Sequence, residues 1–474
     1  MKRDILMRFY LAFIYCLYVS SNLAAQEAGY AFKNVSVIPM NREGVLKDQT
    51  VLVKDGIIQS VSPAGKQAIP AGYTAIDAKG KFLLPGFFDM HTHFFNEQGE
   101  HKNTCEAELK MMLANGLTTA RIMAGHPNYL EARDKVKEKV WAGPDLVIAS
   151  PQFVGRWPWP PDFKNFEITD TKEKAAEAVR RFKKEGYDLI KVSFMIKSDV
   201  FDAIVQAASE VGIPVAGHVG PLVKLPAALK AGQQNEHMDE FIDMLLPDTS
   251  YNRGQSVSDM NLWRMNAWST VPHLDEKKIP ALVQMVKESG IYVTPTNFFF
   301  ISCFGSGYTD EVYKSRPDYG YIPAAILPER WDIKERNRNM KIPKESLDRY
   351  VYLRKKMVYE LWKAGVPLMA GSDSPEWFLV PGFSIHDEIS MFVKAGLSPF
   401  AALQTATVNT ARYLGVNKGT IEKDKQADLI LLDKNPLEDI RNTRSVQGVM
   451  KNGKWYSRAE LQDMLKEAKG VLGK

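Results

Sequence analysis

Between residues 85 and about 419, short apolar runs alternate with amphipathic stretches of about 15 residues, a pattern that points to parallel βα units. This alternation restricts the chain more than any other feature. Strand-like runs fall at 118–122, 146–149, 189–193, 213–216, 291–294 and 366–370, with helical periodicity at 172–184, 200–210 and 347–362. The run before His91 and a short one before His237 bring the strands to eight. Eight units close a barrel, so the expected fold class is α/β, a (β/α)8 TIM barrel.

The flanks have a different texture. Residues 26–84 read as strands and turns, with Lys54-Asp55-Gly56 as a turn signal, and residues 420–474 return to it before a last helix at 458–472. The two flanks are expected to form one discontinuous β-sandwich around a barrel spanning 85–419. Two stretches inside the barrel, 239–274 and 297–344, are rich in Trp, Tyr, Arg and Pro with weak periodicity. Stretches of this length are either lids and binding loops or surface decoration.

Residues 1–25 stand apart. Lys2 and Arg3 precede an apolar run over 9–19, and Leu23-Ala24-Ala25 precedes Gln26. The run is short of the ~20 residues that span a bilayer, and reads as a secretory signal peptide giving a secreted or periplasmic protein. No later segment is apolar enough to span a membrane. The net charge of +5 over 474 residues, without a basic run or basic-aromatic interleaving, gives nucleic acid no support. Cys16 leaves with the signal. Cys105 and Cys303 remain, and two separate thiols are expected rather than a disulfide.

The chain has eight histidines, and several occupy informative places. His91 and His93 are two apart after Phe82-Leu83-Leu84-Pro85-Gly86-Phe87-Phe88, so both can face a barrel mouth. His218 and His237 each follow a strand, as does Asp373 in Gly371-Ser372-Asp373. All five sit at C-terminal strand ends, where barrel enzymes keep their active sites. Imidazole and carboxylate donors suit zinc, manganese, iron or cobalt. Lys191 lies within Asp188-Leu189-Ile190-Lys191-Val192, a strand that reads as buried, where a bare ammonium is costly. On these residues alone it is equally a lysine snorkelling from a strand end. His101, His126, His273 and His386 have no such placement and read as structural or exposed.

Taken in order, these segments, with Asn235-Glu236-His237, Ala401-Ala402-Leu403-Gln404-Thr405-Ala406-Thr407 and Ala427-Asp428-Leu429-Ile430-Leu431-Leu432-Asp433, resemble the amidohydrolase superfamily. The likeness is to its imidazolonepropionase-like and prolidase-like (Xaa-Pro dipeptidase type) branch. It covers nearly all of the chain after the signal. The resemblance implies two divalent metal ions, zinc foremost. His91 and His93 would bind one, His218 and His237 the other, and Lys191, carbamylated by carbon dioxide, would bridge them. Asp373 would be both a metal ligand and the catalytic proton carrier. Lys191 favours the dipeptidase side, because imidazolonepropionases use one metal and lack the bridging lysine.

Where many relatives carry a Gly-Gly-His segment, this chain has Ser150-Pro151-Gln152-Phe153-Val154-Gly155-Arg156-Trp157-Pro158-Trp159. Arg156 could hold a substrate carboxylate and Trp157 an apolar wall, or the loop could be a rigid surface turn. The expected activity is hydrolysis of a C–N bond in a dipeptide or N-acyl amino acid, by a chain that could form a homo-oligomer. A cyclic amide, lactone or xenobiotic ester is the rival substrate class. A catalytically silent binding protein is the rival from another class.

Overall fold

The structure is a computed structural model that describes residues 29–95, 102–156, 166–247, 268–305 and 307–473. The first strands are β1 (Gly29–Val37), β2 (Leu46–Lys54), β3 (Ile57–Pro63), β4 (Tyr73–Asp77) and β5 (Phe82–Pro85). Asp55 and Gly56, both at positive φ, make the two-residue turn joining β2 to β3. Next come β6 (Phe87–Thr92), β7 (Leu117–Ile122), β8 (Asp145–Ile148), β9 (Gln152–Val154), β10 (Phe166–Ile168), β11 (Ile190–Val192), β12 (Val215–Gly217), β13 (Gln234–Glu236) and β14 (Val293–Thr294). The chain ends with β15 (Leu429–Leu432), β16 (Val446–Lys451), β17 (Lys454–Ser457) and the helix Arg458–Leu472.

The two flanks share one sheet, in the order β17-β16-β15-β5-β1-β2-β3, with β4 also paired to β1. β5 and β15, far apart in sequence, are antiparallel neighbours, Leu429 opposite Pro85 and Leu431 opposite Leu83. Their unbroken apolar runs follow from burial on both faces. Leu83, Leu429 and Leu431 point into the sandwich core with Phe32, Val51 and Ile58. Leu84, Ile430 and Leu432 point the other way, into the barrel's outer core. A strand's two-residue period thus joins the two units through shared strands.

The barrel is a ring of parallel neighbours. β6, β7 and β8 pair in order, as do β11 to β14. A bridge from Ala149 to Leu189 joins the two groups. The eighth stave, expected as a strand at 366–370, carries only a bridge from Leu368 to Val293. Its hydrogen bonds nevertheless close the ring. Met90 N–H donates to Ala370 O (2.9 Å), Asp373 N–H to His91 O (2.7 Å), and Thr92 bridges Ser374. The fold is therefore the expected TIM barrel with a β-sandwich.

Helices Lys172–Glu185, Ser198–Val211 and Lys344–Lys363 lie where the apolar period placed them. The stretch 297–344 holds helices Asn297–Phe304, Asp310–Lys314 and Leu327–Asn339. The last of these has no buried residue, so it has no apolar stripe to read in the sequence. Residues 248–267 of the other insertion lie outside the described residues, as do the signal segment and Trp157 and Trp159. Cys105 and Cys303 are free thiols. No described helix is long and apolar enough to cross a membrane.

Candidate active site

At the C-terminal mouth of the barrel, the turn after the eighth stave meets the end of β6. Asp89 ties the two together. Its carboxylate accepts the backbone N–H groups of Ser372 (2.9 Å) and His91 (3.2 Å) and the Ser372 hydroxyl (2.6 Å). Burial still pushes its pKa up to about 7. Asp373 follows in the left-handed region, at φ 57°. Its Oδ1 lies 3.4 Å from Nε2 of both His91 and His93. His91, His93 and Asp373, all buried, each present one donor atom, and those atoms lie within 4.8 Å of one another.

The other side of the mouth is built by β11, β12 and β13. Ile190 and Val192 of β11 pack into the outer core, so the pleat turns Lys191 inward. Lys191 is fully buried, and its Nζ has no hydrogen-bond partner among the described residues. Burial, opposed by Glu236 and Asp373, lowers its pKa to about 8. His218 and His237 follow β12 and β13 directly, with ring centroids 4.5 Å apart and nearly parallel planes. His237 also stands 4.4 Å from the His91 ring, and its Nδ1 is 3.5 Å from Asp373 Oδ2. The structure therefore gathers all six expected donors at one mouth. Burial, reinforced by neighbouring cations and imidazoles, drives the His91 and His237 pKa values well down, and it lowers that of His218. Neutral imidazole is the form a metal requires.

Several residues that hold this site were not singled out from sequence. His91 Nδ1 lies 2.8 Å from Glu236 Oε2, His218 Nδ1 2.7 Å from Asp239 Oδ2, and His237 Nδ1 2.8 Å from Thr296 Oγ1. Arg121, wholly buried, meets Glu236 Oε1 at 2.5 Å. His237 has φ 66°, a conformation costly for a side-chain-bearing residue by ~1–3 kcal/mol. Arg354 supports it, donating to His237 O (3.0 Å), Pro295 O (2.7 Å) and Asn297 Oδ1 (3.0 Å). The signal for Arg121 was present: an arginine in the apolar strand Leu117-Thr118-Thr119-Ala120-Arg121-Ile122 is as anomalous as Lys191.

Of the other expected contacts, Arg156 is 76% exposed and ion-paired with Asp170. His126 caps the helix Pro127–Lys137, accepting from Asn128 N–H. His386 is buried away from the mouth, with Nε2 3.1 Å from Asn115 O and its ring edge-on to Phe87.

The donor set suits divalent cations. Lys191 Nζ and His237 Nε2 are buried polar atoms without hydrogen-bond partners among the described residues. Such orphans are costly unless something else engages them. Three carboxylates or hydroxyls back three of the four imidazoles, the arrangement that fixes metal-binding histidines.

Known proteins resemble this chain over most of its length. Residues 82–456 match the Amidohydrolase family. A dihydroorotase of Staphylococcus epidermidis is 23% identical over 417 residues, covering 85% of this chain and 89% of that protein. A putative prolidase from Bifidobacterium longum superposes with a TM-score of 0.68 at 22% identity, covering 93% of this chain and 99% of that one. A Xaa-Pro dipeptidase with bound methionine gives a TM-score of 0.64 at 20% identity, covering 91% and 100%. The family match takes in the closing strands of the sandwich and every donor at the mouth, and the chain belongs to the amidohydrolase family as a metal-dependent hydrolase of carbon–nitrogen bonds.

Proposed function

We propose that this chain is an exported binuclear amidohydrolase that cleaves the amide bond of a dipeptide or an N-acyl amino acid. The observation that carries the binuclear reading is Lys191, fully buried beside a His/His/Asp cluster, with an Nζ that has no hydrogen-bond partner among the described residues. An ammonium cannot ligate a metal. A neutral amine that adds carbon dioxide and sheds a proton becomes a carbamate with two donor oxygens and one negative charge. In this reading His91, His93 and Asp373 would hold one zinc, His218 and His237 would hold the other, and the Lys191 carbamate would supply donor oxygens to the pair. Bound there, two zinc ions supply Lewis acidity, lowering the pKa of water toward ~7 and polarising the substrate carbonyl.

The protein's own groups do the rest. Asp373 takes the proton of the attacking water on a carboxylate oxygen and returns it to the departing nitrogen, which leaves poorly as an amide anion. Asp89, through Ser372, holds the turn that aims Asp373. Glu236, Asp239 and Thr296 orient three of the imidazoles. Export rests on the Lys2-Arg3 pair, the apolar run and Ala25. Its test is the mass of the mature protein, expected to begin at Gln26.

A cyclic-amide substrate uses the same donors, and the likeness to a dihydroorotase favours keeping it as the second reading. The deciding experiment offers the zinc-loaded protein dipeptides, N-acyl amino acids and cyclic amides. Release of free amino acids from the first two classes is the expected result. Turnover of cyclic amides alone would replace the first reading with the second, and no turnover by protein holding two metals would contradict both.

A further inference from the structure

The buried pair Arg121–Glu236 lies behind the metal donors and is not itself a donor. Both side chains are fully buried. Arg121 braces the barrel interior from β7. Its Nε donates to Met90 O on β6 (2.5 Å), and one terminal nitrogen reaches both Glu236 Oε1 on β13 (2.5 Å) and Thr294 Oγ1 on β14 (3.4 Å). The other terminal nitrogen is 3.4 Å from the Tyr413 hydroxyl. A guanidinium only donates. Glu236 must therefore turn one oxygen to Arg121, which leaves Oε2 to accept from His91 Nδ1.

We infer that Arg121 and Glu236 act together as a positioning pair that sets the tautomer of His91. Held as a carboxylate against the Arg121 guanidinium, Glu236 only accepts, so the His91 proton sits on Nδ1. The lone pair is then on Nε2, the atom that faces Asp373 Oδ1 and lies beside His93. Arg121 keeps Glu236 in this orientation and matches its charge inside the barrel. This inference rests on the reading of His91 as a metal ligand.

Chemistry separates tautomer control from plain structural support. In Glu236→Gln, Arg121 still demands an acceptor and takes the amide oxygen. The amide NH2 then faces His91 Nδ1, which must accept, so the imidazole proton moves to Nε2 and blocks ligation. Replacing Arg121 as well, by Met, frees the amide to turn its oxygen to Nδ1 and restores the first tautomer. The double variant also removes the lone buried cation that the single variant leaves, so it folds even where Glu236→Gln does not.

The experiment measures binding of zinc and of cobalt(II) by chelator competition, with the visible spectrum of the cobalt form, for the parent, Glu236→Gln and Glu236→Gln/Arg121→Met. The single variant is expected to bind at least about tenfold more weakly, the loss usual for such outer partners, with an altered cobalt spectrum, and the double variant to recover. Parent-like binding in Glu236→Gln would overturn the inference. So would equal loss in both variants. A parent that binds no metal would instead bring down the reading of His91 as a ligand.

Discussion

Buried lysines sit at opposite ends of the barrel, and their environments point opposite ways. At the base, where barrel meets sandwich, the Lys418 side chain is 3% exposed and donates to Asp145 (2.6 Å) and Asp428 (2.8 Å). Lys451 completes the group, 2.8 Å from Asp145 and 3.0 Å from Asp428. Burial alone would lower the Lys418 pKa, but the two carboxylates outweigh it and raise it. At the mouth Lys191 is equally buried, its Nζ has no partner among the described residues, and burial wins. A buried charge that is fully paired holds two units together. A buried amine left unpaired near neutrality is poised for chemistry. The same residue type in the same burial class therefore separates into structure and function by its partners.

Substitutions at the two ends should separate the two roles. The largest expected effect is at the mouth. Asp373→Asn keeps the shape but cannot carry the proton, and kcat/KM should fall by about 10²–10⁴-fold with the melting temperature little changed. A variant retaining more than a tenth of parental turnover would break the assignment. The base should respond in the opposite sense. Lys418→Met leaves two carboxylates facing one lysine and should cost ~3–5 kcal/mol in urea unfolding while metal content per folded chain stays at the parental value. Loss of metal without loss of stability would erase the distinction between the two ends.

A smaller effect concerns His386, buried with a folded-state pKa of about 3 against 6.5 for the free side chain. Between those values the unfolded chain holds the extra proton, so stability falls as the solution is acidified below pH 6.5. The slope is up to ~1.4 kcal/mol per pH unit, flattening near pH 3. His386→Asn should make the stability–pH curve shallower over that window, and an unchanged slope would count against it. The smallest effect is expected from Arg156→Ala. With its guanidinium exposed and engaged by Asp170, melting temperature and metal content should match the parent. A large rise in KM for carboxylate substrates alone would return Arg156 to the site.

Much of this was legible in the sequence, for physical reasons. Barrel enzymes keep their chemistry at strand ends, so His91, His93, His218 and Asp373 announced themselves by following apolar runs, whereas His237, after the polar Gln234-Asn235-Glu236, did so only through its motif. Lys191 did so by interrupting one. The double-faced burial of β5 and β15 showed in their unbroken apolar runs. What could not be read was how the groups behind the donors pair with them. Glu236 meets His91 across 145 residues of sequence and Arg121 across 115. Their pairing depends on strand register around the closed ring, which no local period encodes. The helix Leu327–Asn339 was equally hidden, because a helix with no buried residue carries no amphipathic signature.

Metal content per chain decides whether the mouth holds a lysine-bridged pair of metals. The parent and Lys191→Ala would be purified, loaded with zinc in bicarbonate and measured side by side. Two equivalents are expected in the parent and a sharp fall in the variant, with a melting temperature no lower than that of the metal-free parent. One equivalent in the parent, unchanged in Lys191→Ala, would contradict it.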